Sequence, residues 1–152
     1  MSRRKAAFCL IYSRSTNRFL MELRGKDVGH PNTYGFFGGG VESGELPEEA
    51  CRRELVEESG LRVRWFDHSI RLPSKSAVVF LFVKILKHEF VPELSWESGG
   101  YRWVKDIEDV KPLHKKILKN YGEIRRLMAA TRSTSASPAV EAVQEKESAN
   151  VR

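Results

Sequence analysis

The sequence predicts an α/β fold, with a mixed central sheet carrying a helix on either face. Three observations lead there. Short strand-like runs alternate with polar breaks, one helical segment is inserted early among them, and a second, amphipathic helix closes the patterned part of the chain. Size agrees, since 152 residues with 41% hydrophobic content make one domain with a sizeable core.

Residues 6–12 read as a buried strand, and residues 18–23 as its partner across a turn at Ser15-Thr16-Asn17. Residues 25–32 are a loop, after which Tyr34-Gly35-Phe36-Phe37 leads into three glycines. The first helix is expected from Pro47 to about Ser59. Pro47 suits a first turn, where its missing N–H would be unpaired anyway. Glu48 and Glu49 favour the positive end of the helix dipole, and Gly60 is a helix stop. Residues 62–72 look strand-like, with Val63, Trp65 and Ile70 among polar neighbours. The strongest strand signal is residues 77–86, bounded by Pro73 and by Lys87-His88, and residues 101–104 form a further short strand. Leu113, Ile117, Leu118, Tyr121, Ile124 and Met128 recur at helical spacing, predicting an amphipathic helix over residues 111–129. No internal repeat is apparent.

The net charge of +6 belongs to the patterned part. In the last stretch Arg132, Lys146 and Arg152 are balanced by Glu141, Glu145 and Glu147. The tail over residues 131–152 is small, polar and free of aromatics, so it is expected to be disordered, leaving a folded domain over residues 1–130. Cys9 and Cys51 have neither zinc-site spacing nor a disulfide framework. No signal-peptide pattern and no membrane-length apolar run is visible. The cytoplasm is therefore the expected location, with no membrane partner.

The most specific stretch is GGVESGELPEEACRRELVEESGL, from Gly39 to Leu61. Five residues separate Gly39 from Glu45 and seven separate Glu45 from Arg53, which opens Arg53-Glu54-Leu55, followed by Glu57-Glu58 and Gly60-Leu61. At roughly 100° per residue, Glu54 and Glu58 lie about 40° apart on the helix, with Glu57 on their other side. Three carboxylates on one face repel, costing a few tenths of a kcal/mol per pair, roughly. A hard divalent cation would offset that cost, and all-oxygen donors suit Mg²⁺ or Mn²⁺. Arg53 can relieve part of the repulsion by pairing with Glu45 or Glu57. The alternative for such a run is a solvated helix face, which leaves the glycines, Glu45, Arg53 and Gly60 unexplained.

This pattern resembles the signature of the Nudix hydrolases, with every fixed position filled, and the likeness extends over most of the chain to about Met128. It implies the α/β/α sandwich of that family and metal-assisted hydrolysis of a phosphoanhydride. Carried over, Glu54, Glu57 and Glu58 would form the metal shell, together with the main-chain carbonyl of Gly38. Glu45 and Arg53 would lock the loop onto the helix, and Arg53 counts with the catalytic set through that role. Glu97, in SWESGGYRWV, occupies the place where relatives often carry a further metal ligand or water-activating acid; Glu93 is a weaker competitor. Glu54, Glu57 and Glu97 all remain open as the general base.

The resemblance also implies a small phosphorylated nucleotide as substrate: a nucleoside diphosphate linked to another group, as in a nucleotide sugar, ADP-ribose or a dinucleoside polyphosphate. A nucleoside triphosphate or a triphosphorylated RNA end is the alternative. Candidates for stacking a base are Tyr34, Phe36, Phe37, Trp65 and Trp96, with Phe36 and Arg24 taken as substrate-binding residues. Lys111, Lys115, Lys116, Lys119, Arg125 and Arg126 make the last helix cationic, which would attract RNA, although no RNA-binding motif is present. A homodimer and a non-catalytic nucleotide sensor stay open, the sensor disfavoured because no motif acid is lost.

Overall fold

The computed structural model describes residues 3–134. Seven strands form one mixed sheet: β1 (Arg4–Ser13), β2 (Arg18–Arg24), β3 (Tyr34–Gly35), β4 (Phe37–Gly40), β5 (His68–Leu72), β6 (Ala77–Leu86) and β7 (Ser98–Val104). β1 lies centrally and pairs in parallel with β6 along its whole length, from Arg4 opposite Ala77 to Ser13 opposite Leu86. Its other edge is shared. Ile11 to Ser13 pair with β2, whereas Ala6 to Cys9 pair with β4. β2 in turn pairs with β3 and β7. β1 and β2 therefore part company halfway, and the glycine strand β4 fills the opening on the β1 side.

The two faces of the sheet bury two cores, as strand alternation requires. Ala7, Cys9 and Ile11 of β1 pack with Ala50, Cys51 and Leu55 of α1 (Pro47–Ser59). Leu10 and Tyr12 face the other way, against Ile117 of α2 (Lys115–Lys119) and Ile124, Leu127 and Met128 of α3 (Tyr121–Thr134). The result is the expected three-layer α/β/α sandwich with a mixed sheet. α1 has the expected limits: Pro47 sits in its first turn, and Gly60 ends it with φ of 78°, donating its N–H to Val56 at 3.1 Å.

Two expected elements are corrected. Only His68–Leu72 of the strand-like residues 62–72 is strand. Val63 is buried in the α1-side core, and Trp65 lies beneath the buried Lys84, whose ammonium is 3.5 Å from its ring centroid. Their apolar character reflects packing, not ladder pairing. The helix expected over residues 111–129 is two helices. Leu113 bridges to Tyr34, His114 caps α2, and the chain breaks at Asn120 before α3. α3 continues to Thr134, and the remainder of the tail expected to be disordered lies outside the described residues. No helix among the described residues is long and apolar enough to cross a membrane.

Candidate active site

The parting of β1 from β2 sets α1 against the glycine strand. Gly38 has φ of 151°, and its N–H donates to Glu58 Oε1 at 2.9 Å. Beside it, a Cβ on Gly39 would come within 2.7 Å of the Glu54 carboxyl carbon. Two helical acids thus press directly on β4. A cleft enclosing about 1940 Å³, part of it open to solvent, runs over this contact and is lined by Gly38, Glu54, Glu57, Glu58 and Glu97 among others. Glu97 enters from the loop before β7. The Gly25 N–H holds that loop by donating to the Glu97 carbonyl at 2.8 Å. Glu93 is elsewhere: its N–H bonds Ser59 behind the helix end.

The electrostatics of the cleft are those of crowded carboxylates. Burial, followed by the charge of Glu22, pushes Glu58 up to about 9; the Gly38 N–H opposes this, and Glu54 and Glu97 add lesser contributions. Burial likewise raises Glu54, with Glu57 and Glu97 adding to it and Arg53 opposing. Glu22 was missed by sequence reasoning. It is buried in β2, receives the Ser98 hydroxyl at 2.5 Å, and is raised mainly by burial. Its signal was an acid in the middle of the apolar run RFLMELR.

Arg53 braces these acids. Its Nε donates to Glu45 at 2.9 Å, its Nη1 to Glu54 at 2.8 Å and Glu57 at 3.4 Å, and its Nη2 to the Gly40 carbonyl at 3.1 Å. The Arg53 bond, followed by the Glu42 backbone N–H, holds Glu45 down at about 2. Among the described residues no three acidic, histidine or cysteine side chains already converge in coordinating geometry. Arg53 engages Glu54 and Glu57, while Glu58 is turned to β4. The donor chemistry nevertheless fits a hard divalent cation: the set is all oxygen, and its mutual repulsion falls when positive charge enters. Replacing Arg53 by Ala or Lys should lower kcat/KM about ten- to a hundredfold. Lys is expected to fail because one ammonium does not reproduce a planar fork. Steady-state kinetics of both variants beside wild type, with melting curves to verify folding, check this.

The remaining wall of the cleft is basic. Arg4, Lys5, Arg24, Lys116 and the imidazoles of His30 and His114 line it. An apolar recess of about 450 Å³ adjoins the cleft and contains Phe36, Leu81, Ile117 and Ile124, sharing Phe8, Arg24 and His114 with it. The two expected substrate residues, Phe36 and Arg24, therefore meet there. Of the other aromatic candidates, Phe37 is fully buried, Trp65 is covered by Lys84, and Trp96 is 78% exposed.

The acid-lined, glycine-floored cleft sits on an α/β/α sandwich. Residues 2–127 match the NUDIX domain, and the chain belongs to the Nudix hydrolase family, whose members generally use divalent metal ions and act on small nucleotide substrates. The fold is similar to that of the M. smegmatis Nudix hydrolase RenU, with 20% identity, a TM-score of 0.75, and coverage of 84% of this chain and 87% of that one. It is also similar to a bifunctional NMN adenylyltransferase/ADP ribose pyrophosphatase from Francisella tularensis, with 14% identity, a TM-score of 0.60, and coverage of 85% and 41%. A third likeness is to the E. coli dihydroneopterin triphosphate pyrophosphohydrolase, with 23% identity, a TM-score of 0.53, and coverage of 66% and 80%. No curated protein matches the sequence.

Proposed function

We propose that this enzyme hydrolyses, with Mg²⁺ bound, the phosphoanhydride of a nucleoside diphosphate linked to another group, releasing a nucleoside monophosphate. The observation that carries the reading is the meeting of Glu54, Glu57, Glu58 and Glu97 in one cleft with an opposing basic wall. Such a cleft suits a substrate that is a polyanion carrying its own cation. Glu54, Glu57, Glu58 and the Gly38 carbonyl would hold the metal, with Mn²⁺ able to replace Mg²⁺. When bound, the ion neutralises phosphate oxygens and lowers the pKa of a coordinated water.

The chain's own residues do the rest. Arg53 and Glu45 hold the 40–46 loop on α1, so that the carboxylates keep their places. Glu97 faces the helical acids from across the cleft, and among the described residues its carboxylate has no hydrogen-bond partner. It is the acid left free to take a proton from the attacking water. Arg24 would orient a phosphate, and Phe36 would offer the nucleotide an apolar surface. The names of the F. tularensis and E. coli proteins describe a pyrophosphatase and a pyrophosphohydrolase, which accords with this bond type. RNA is the weaker reading, because Arg125 pairs with Asp106 and Glu108, and Arg126 with Glu123, breaking up the cationic face of the last helix. The free thiols of Cys9 and Cys51 accord with a reducing, cytoplasmic setting.

The test is a Mg²⁺-dependent phosphate-release screen over nucleotide sugars, ADP-ribose, dinucleoside polyphosphates, nucleoside triphosphates and triphosphorylated RNA, each coupled to a phosphatase or pyrophosphatase. One preferred nucleoside diphosphate derivative is the expected result. Preference for RNA, or silence across the panel from a protein that binds metal, would contradict the reading.

A further inference from the structure

Within the basic wall of the cleft, the hydrolysis above gives Arg24 a task but leaves Arg4, Lys116 and His114 without individual ones. Arg4 opens β1 and Lys116 lies in α2, and both line the cleft beside His114. Arg4 and Phe8 belong to the same face of β1, and the Lys116 ammonium stands 5.7 Å from the centroid of the Phe8 ring. Some cations outside the cleft are paired: Arg18 bonds Glu89 at 2.6 Å, and Arg125 bonds Asp106 at 2.8 Å. Among the described residues, neither Arg4 nor Lys116 has a carboxylate within ion-pairing distance. Burial pushes Lys116 down, and the charges of Arg4 and Arg24 push it the same way. Cations gathered in a cleft without a counter-charge focus a positive potential there.

His114 adds a neutral donor. Its Nδ1 accepts the Lys116 backbone N–H at 3.1 Å, which puts the ring proton on Nε2. Burial, followed by His30, Arg24 and Lys116, holds this imidazole down at about 4, so it is uncharged at neutral pH. The ring lies against Gly35 and 4.5 Å from the His30 ring, centroid to centroid. Among the described residues Nε2 has no hydrogen-bond partner.

We infer that Arg4, Lys116 and the His114 Nε2–H form a phosphoryl-binding site across the cleft from the acidic helix, and that the preferred nucleotide carries a phosphoryl group beyond the two joined by the bond that breaks. This rests on the acidic helix being the hydrolytic site. A phosphoryl group offers several acceptor oxygens to two cations and one donor. A neutral sugar in the same place would leave both charges unmatched, so within the proposed class the substrate narrows to those with three or more phosphoryl groups, the dinucleoside polyphosphates.

Two variants test the inference, their folding verified by circular dichroism: Arg4→Gln combined with Lys116→Gln, and separately His114→Asn. Asn retains an acceptor for the Lys116 N–H at the helix N-cap and removes the Nε2 donor. Calorimetry with inorganic tripolyphosphate in EDTA should show salt-sensitive binding to wild type. Binding should weaken at least about tenfold in the double variant and about threefold in His114→Asn. No binding to wild type, or equal binding to all, overturns the site. In Mg²⁺, the double variant should lose about tenfold in kcat/KM on a dinucleoside polyphosphate, mostly through KM, and less than about threefold on ADP-ribose. Equal losses, or none, overturn the substrate inference. Tripolyphosphate binding as expected, with no hydrolysis of any nucleotide, would leave the phosphoryl site standing and sink the hydrolytic reading instead.

Discussion

Glu58→Gln is expected to abolish useful turnover while leaving the protein folded. Glu58 is only 7% exposed, and its Oε1 takes the Gly38 N–H at 2.9 Å. Glutamine has the same size and retains an acceptor oxygen, so the contact between α1 and β4 survives. What it loses is negative charge in the carboxylate set, and kcat should fall at least about a hundredfold. The same side chain makes a second, independent prediction. Burial, with Glu22, Glu54 and Glu97 behind it, raises Glu58 from 4.5 to about 9 in the folded state. An acid raised on folding contributes stability that is complete below its unfolded value and is lost as pH climbs through the folded one. Metal-free wild type should therefore lose stability between pH 4.5 and about 9. Over the same range Glu58→Gln should be flatter and melt higher at the alkaline end. A divalent cation should restore wild type more than the variant, because it stabilises the charged carboxylate. Melting curves at three pH values, with and without Mg²⁺, read all of this; parallel curves for the two proteins would refute it.

Gly38→Ala should be the most damaging single change outside the acids. At φ of 151° a side chain is strained, and a Cβ there would lie 2.2 Å from the Ala7 carbonyl oxygen and 2.5 Å from the Phe8 Cα. Both obstacles are backbone of the central strand, which pairs with β6 on its other edge and has nowhere to move. The cost should be about 3 kcal/mol or more, which lowers the melting temperature by about 10 °C. Gly39→Ala makes the contrast. Its Cβ would meet the Glu54 carboxyl at 2.7 Å, the far end of a side chain that can swing aside. Stability should change little and activity should fall, because Glu54 is the group displaced. Unfolding midpoints and initial rates for the pair separate a structural glycine from one that makes room for the site.

The parts legible in the sequence were those specified locally. α1 begins at Pro47 and stops at Gly60 because both residues have backbone preferences that act within one turn. Arg53 was expected to pair with Glu45 or Glu57 and pairs with both, since a five-donor guanidinium spans more than one acid. Glu97 was picked out from its loop together with the family resemblance, and it lines the cleft. The failures share another cause. Val63 and Trp65 gave a strand-like pattern because Val63 packs into the α1-side core and Trp65 covers Lys84, whatever their backbone pairing. Helical spacing from Leu113 to Met128 passed straight across the break at Asn120, because α2 and α3 bury their apolar residues in one core. Arg4 had no local signature, Lys116 stood out only as one of a cationic row, and Glu22 showed only as an acid within an apolar run. Their significance comes from β1, β2 and α2 converging on one cleft, and residue spacing along the chain does not encode that convergence.

The most direct measurement is phosphorus NMR of the products formed from the preferred nucleotide in ¹⁸O-labelled water, with Mg²⁺ and again with EDTA. The account predicts a nucleoside monophosphate and a phosphorylated partner, one of them carrying ¹⁸O on phosphorus, formed only when metal is present. Turnover that persists in EDTA, or label absent from both phosphorus products, would contradict it.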